Sequence, residues 1–146
     1  MNVREYLNQG YLLDQRINYN MRRLQEMKTG IDGISSPQIG GVKVQTSPDG
    51  EAPYVKAYLR MAELNERINQ EIDQLVDLRN QIDEVVGTVE SEQHHMLLLY
   101  KYIEGLTWED IGIKLNASIN TVKRWHQEAL RMVKMPENPI IIRRVH

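Results

Sequence analysis

A chain of 146 residues, 41% of them apolar, can build one ordinary domain or two small units, with Tyr, Leu, Ile, Val and Met carrying the packing because Phe is absent. The lack of cysteine excludes disulfides, thiolate metal sites and cysteine catalysis. A formal net charge of −2 excludes a polycation, so any nucleic-acid footprint has to be local.

The N-terminal stretch MNVREYLNQGYLL lacks an apolar core of signal-peptide length, and no run approaches a membrane span. A cytoplasmic protein without membrane contact is expected. Leu12 to about Thr29 is predicted to be helical, since Leu13, Ile17, Met21, Leu24 and Met27 recur at three- or four-residue steps. Val3 to Leu7 reads as a separate short helix, because Gly10 weakens a continuous one by about 1 kcal/mol relative to Ala. From Gly30 to Pro53, glycine, proline and serine cluster, which predicts a flexible loop rather than a strand at Val42–Val44.

Tyr54 to about Val86 is the longest periodic segment. Met61, Leu64, Ile68, Ile72, Leu75, Ile82 and Val86 trace a stripe close to a seven-residue repeat, with Glu71 among the charges expected off it. Such a stripe needs a partner. The first helix can fold back on it, or a second copy of the chain can pair with it, and a homodimer through Tyr54–Val86 is the favoured expectation. Gly87 breaks the pattern, and Thr88 or Ser91 can cap the next helix. Met96, Leu97, Leu99, Tyr100 and Ile103 would form its buried face, with Gly105 ending it. The adjacent His94 and His95 point about 100° apart on a helix, so a surface pair is expected rather than a chelate.

The most specific stretch runs from Tyr100 to Met132. Thr107 is placed as an N-cap, its hydroxyl accepting from the Asp110 amide while the Asp110 carboxylate returns the bond. Trp108, Ile111 and Leu115 face inward. Gly112 suits a close helix crossing, and Asn116 suits a turn that needs a left-handed backbone. Ser118 caps a second helix pinned by Val122, Trp125, Ala129 and Val133. Its outward residues are Ile119, Asn120, Thr121, Lys123, Arg124, Gln127 and Glu128. Two short helices with an exposed basic and amide face fit a helix-turn-helix that enters the major groove. Asn120, Lys123, Arg124 and Gln127 are the candidate base-reading residues, since Arg or Lys can bond guanine and Asn or Gln adenine. Lys114, Thr121, Arg131 and Lys134 are candidate contacts to the DNA backbone. For His126, a phosphate contact and a solvated role stand side by side. Glu104, Glu109 and Asp110 read as helix-end charge, with a contact to polymerase as the functional alternative. The tail PENPIIIRRVH leaves three placements open: packing back on the core, docking on a neighbour, or adding to another sheet.

The stretch GLTWEDIGIKLNASINTVKRWHQEALRMV resembles region four of bacterial sigma factors. The chain as a whole resembles small phage and prophage regulators of the RinA/ArpU late-transcription type, through YLLDQRIN, EINQEIDQLVDLRNQI and LLLYKYIEGLTWEDI. Ile119 stands where sigma factors often have Arg, and nothing resembles the promoter-melting region, so a complete sigma factor is not implied. The resemblance implies that Asn120, Lys123, Arg124 and Gln127 read promoter bases. The expectation is an all-α protein with a helical hairpin or coiled-coil arm (1–87), a helix-turn-helix unit (88–135) and a tail (136–146). Its expected role is a sequence-specific DNA-binding regulator, an activator of late genes, with double-stranded DNA and RNA polymerase as partners. The alternatives are a small terminase-like packaging component and a sigma-like module that grips polymerase. No enzyme activity, metal or cofactor is expected.

Overall fold

The computed structural model describes residues 1–35 and 53–143. The fold is all-α, and no strand occurs among the described residues. Its elements are α1 (Val3–Ser35), α2 (Pro53–Val86), α3 (Glu92–Leu98), a single turn of π-helix that continues α3 (Leu99–Ile103), α4 (Trp108–Leu115) and α5 (Ile119–Met132). No described helix is long and apolar enough to cross a membrane. Gly30 to Ser35, expected in the loop, continue α1, and Pro53 opens α2, while the scrap Val42–Val44 and the rest of the expected loop lie outside the described residues.

By contacts the chain divides into two compact units, one of residues 1–14 and 74–146, the other of residues 15–73. Residues 1–14 and 74–87, expected in the arm, thus group with the C-terminal helices. The reason is a shared core. Tyr6, Leu7, Leu78 and Ile82 are buried in one cluster with Leu98, Tyr102, Ala129 and Val133.

Within the first unit, α1 does not break at Gly10. A Cβ placed there would lie 3.8 Å from the Tyr102 carbonyl and 3.9 Å from Leu75 and Leu78, so the glycine is packed on its outer side. Burial of Tyr6, Leu7 and Leu13 around it outweighs a propensity cost of about 1 kcal/mol. The helices run antiparallel there, with the Tyr6 hydroxyl donating to Gln81 and Arg79 lying 3.8 Å from Asp14.

The second unit pairs the remainder of α1 with the first part of α2, and its seam departs from expectation on both helices. Met21 and Ile72, expected inside, are exposed, while Asn20 and Glu71 beside them are buried. The Asn20 amide donates to Glu71 at 2.8 Å, and Arg16 Nε stands 3.1 Å from the other carboxylate oxygen. Glu71 is only 4% exposed, so its charge needs both partners. One polar contact therefore shifts the inward position by one residue on each helix.

Ser91 occupies the N-cap position of α3, but its hydroxyl serves His94 Nδ1 at 2.6 Å instead of a backbone amide. His94, expected at the surface, is buried, and its Nε2 meets Glu128 Oε2 at 2.8 Å. Glu128 is accordingly half-buried, tying α5 to α3. After α3 the backbone widens, with the Glu104 amide bonding Leu99 O at 3.1 Å. That extra residue carries Tyr102 inward. Leu97, Leu98 and Tyr102 are the fully inward positions, whereas Met96, Leu99, Tyr100 and Ile103 of the expected face are half-buried.

His126 is neither solvated nor free for phosphate. It is 2% exposed, shares a 2.6 Å hydrogen bond with the Tyr102 hydroxyl, and meets Trp108 edge-on with ring centroids 4.9 Å apart. Burial, with Arg4 and Lys101 adding like charge, lowers its pKa from 6.5 to about 4. Burial likewise pushes the Tyr102 hydroxyl up to about 12.

Two outcomes follow for stability. A Cβ at Gly112 would lie 2.7 Å from Ala117 O, whereas at Gly30 it would meet nothing within 4 Å. Gly112→Ala should cost about 1–3 kcal/mol in chemical denaturation, and Gly30→Ala should gain about 0.5–1 kcal/mol through helix propensity. Equal midpoints for both variants would contradict the close approach at Gly112. His126 binds its proton more readily when unfolded, so its contribution is complete above pH 6.5, shrinks as pH falls toward 4, and is lost below that. His126→Gln should remove on the order of 3 kcal/mol of acid sensitivity from this window. Thermal melts of the two proteins that decline in parallel between pH 6.5 and 4 would overturn the assignment.

Candidate nucleic-acid interface

Local chemistry fixes the α4–turn–α5 segment. Gly105, at φ +70°, ends the preceding helix in a backbone conformation that L side chains rarely adopt. Thr107 then caps α4, its hydroxyl accepting from the Asp110 amide at 3.1 Å. The expected return bond from the Asp110 carboxylate is not formed. Asn116 takes the left-handed conformation, φ 53° and ψ 50°, which lets the Ala117 amide bond Gly112 O at 2.9 Å. Ser118 caps α5 by accepting from the Thr121 amide at 3.2 Å. The whole turn is thus specified by Gly112, Asn116 and Ser118, each through a bond or a clearance that its neighbours require.

Behind α5, Val122 and Ala129 are fully buried, and Trp125 packs partly buried against the cluster of Leu97, Ile111 and Val122. In front, Asn120, Lys123, Arg124, Gln127 and Arg131 are all exposed. At about 100° per residue these five fall within roughly 100° of arc, so they form one face. Arg124 keeps 66% of its side chain open, and its Nε lies 3.9 Å from Glu128 Oε1. Glu128 therefore divides its two oxygens between His94 behind and Arg124 in front. That carboxylate lies beside the cationic face, and its tie to His94 limits how far it can follow Arg124.

The four candidate base-reading residues are brought together on α5. The candidate backbone contacts are more dispersed. Lys114 is exposed on α4, with its ammonium 5.6 Å from the Tyr100 ring centroid. Arg131 lies in the last turn of α5, and Lys134 is exposed just beyond it. Thr121 is half-buried, and its hydroxyl accepts from Ser118 at 2.8 Å, so it is engaged in the cap. Ile119, at the start of the face, is exposed and apolar.

Sequence reasoning missed the support for this face. His94 stands three and four residues before the buried Leu97 and Leu98, a spacing that marks the inward side of a helix. Lys101 Nζ sits 4.2 Å from the centroid of Trp108, and burial followed by the charge of Arg4 lowers its pKa. Among the described residues no group of three or more His, Asp or Glu is placed to hold a metal ion.

No curated protein matches this chain, and no solved structure does. One family model does, over residues 4–135, from the second residue of α1 to just beyond α5. The chain therefore belongs to the family described as "Protein of unknown function (DUF722)".

Proposed function

We propose that this protein is a sequence-specific DNA-binding transcription regulator of phage or prophage type, an activator of late genes. In this reading α4 and α5 are a helix-turn-helix, and α5 is the helix that enters the major groove. The observation that supports it is the open face of Asn120, Lys123, Arg124 and Gln127 on a helix anchored from behind by Val122 and Ala129. Amide and cationic side chains of this kind can bond base edges only when nothing else engages them, and among the described residues only Glu128 approaches one of them. The 14 residues of α5 span about 21 Å, and the major groove, about 12 Å wide, admits a helix.

Lys114, Arg131 and Lys134 flank the face as phosphate contacts, which position the protein without reading sequence. Ile119 offers an apolar group where a thymine methyl would be read. The resemblance to sigma region four supports the same four residues as readers and makes RNA polymerase a natural second partner. The exposed apolar side chains Tyr54, Tyr58 and Ile72 on α2 support pairing of two copies through that helix.

Random-site selection with the purified protein tests the reading, because an enriched motif reports specificity, site length and half-site spacing together. Failure to enrich any sequence at low salt would reject it. On the enriched site, Arg124→Ala should cost about 1–3 kcal/mol and relax one base position. Uniform loss on all sequences would remove Arg124 from the base-reading set. Lys134→Ala should weaken all sequences alike and flatten the slope of log affinity against log salt by about one unit. A sequence-selective loss would contradict its assignment to the backbone.

A further inference from the structure

The C-terminal tail returns to the first unit as an extended strap. Ile140 and Ile142 pack against the core cluster that contains Tyr6, Leu78 and Ile82, while Ile141 between them is 50% exposed. This two-residue alternation is that of a bound strand. Two glutamine side chains read its main chain. Gln9 Nε2 donates to Ile140 O at 2.9 Å, and the Ile142 amide donates to Gln9 Oε1 at 2.8 Å. The Ile140 amide donates to Gln81 Oε1 at 2.8 Å, and Gln81 Nε2 donates to Asn138 O at 2.9 Å. Each amide thus takes one donor and one acceptor of the strap, as a neighbouring strand would.

Both glutamines are held ready for this. Gln9 is buried and its Nε2 also donates to Tyr6 O at 3.2 Å, and Gln81 Oε1 also accepts from the Tyr6 hydroxyl. Recognition through the main chain plus two alternate apolar side chains is how extended peptides are bound. Without the strap, the Gln9 amide would lose two of its three hydrogen bonds and keep the one to Tyr6 O. The strap is joined to α5 through a segment carrying Pro136 and Pro139, whose fixed φ restricts the backbone whether the strap is docked or free.

We propose that the cleft lined by Gln9 and Gln81 is a binding site for an extended peptide, and that it takes the tail of a second copy of this chain in place of its own. Every molecule carries both the site and its ligand, so two copies can exchange tails reciprocally and keep all four bonds, closing as a pair. The occupant needs alternate isoleucines and a free main chain, and the only sequence seen to satisfy the cleft is this one.

Complementation between two full-length variants tests the proposal. Ile140→Asp with Ile142→Asp leaves the cleft intact and spoils the tail. Gln9→Ala with Gln81→Ala leaves the tail intact and spoils the cleft. With different dyes at their N-termini, the two should form a complex, read by energy transfer. Half-saturation is expected at a concentration at least about tenfold lower than for the tail-spoiled protein mixed with itself. Equal half-saturation would overturn the exchange, since any pairing through other surfaces contributes to both mixtures. Should either variant lose its helical circular dichroism, amide exchange in the unaltered protein decides. A detachable tail requires the Ile140 and Ile142 amides to exchange at least about tenfold faster than those of Ile82 and Val86, and exchange together would overturn the proposal. Neither measurement involves DNA, so the outcome is independent of the proposed regulatory role.

Discussion

The placement of α5 depends on the contact between Gly112 and Ala117. The Gly112 carbonyl accepts the Ala117 amide at 2.9 Å, and the Ala117 carbonyl fills the space where a Cβ on residue 112 would stand. These two short-range facts allow only a small residue at 112 and a left-handed one at 116. With the turn fixed, Val122 meets Ile111 and Leu97, and the opposite face of α5 has nowhere to go but outward. A looser turn would leave the orientation of Asn120, Lys123, Arg124 and Gln127 undetermined.

The support behind this face is unusually polar. His94 and Glu128 join α3 to α5, and Tyr102 and His126 join the π-turn to α5. Such pairs are directional, whereas apolar packing tolerates sliding and rotation. They hold α5 at a defined rotation about its own axis, the quantity that decides which side chains face outward. The same logic recurs at Asn20 and Glu71 in the second unit, where the polar pair stands in a row of Ile17, Leu64 and Ile68. A shift of one residue there would set a carboxylate against hydrocarbon, so the pair admits one register.

The reach of sequence reading follows from this distinction. The all-α class, the extent of α2, the caps Thr107 and Ser118, and the roles of Gly112 and Asn116 rest on interactions within a few residues, and these were legible. Asn20 and Glu71 lie 51 residues apart, His94 and Glu128 34, and Tyr102 and His126 24. Periodicity ranks Met21 and Ile72 above their polar neighbours because it cannot see a partner that distant. Gly10 misled for a similar reason, since its helix is held by contacts with α2 and not by propensity. The tail was the extreme case, with Gln9 and Ile142 separated by 133 positions. For the candidate site, the exposed amide and cationic residues were legible from the pattern of α5, while the histidines that brace it were not.

The widened turn at Leu99–Ile103 adds one residue to what would otherwise be a plain helical path. An added residue advances everything after it by about 100° around the axis. Here that advance sets Tyr102 opposite His126, yet it leaves Leu97 and Leu98 ahead of the turn on their own inward side. Leu97 joins the cluster of Ile111 and Val122 beneath α5, while Leu98 and Tyr102 join the core with Tyr6 and Ile82, so this one segment supplies both clusters. A chain that differed by a single residue in this stretch would carry the same helices with their outer faces aimed differently.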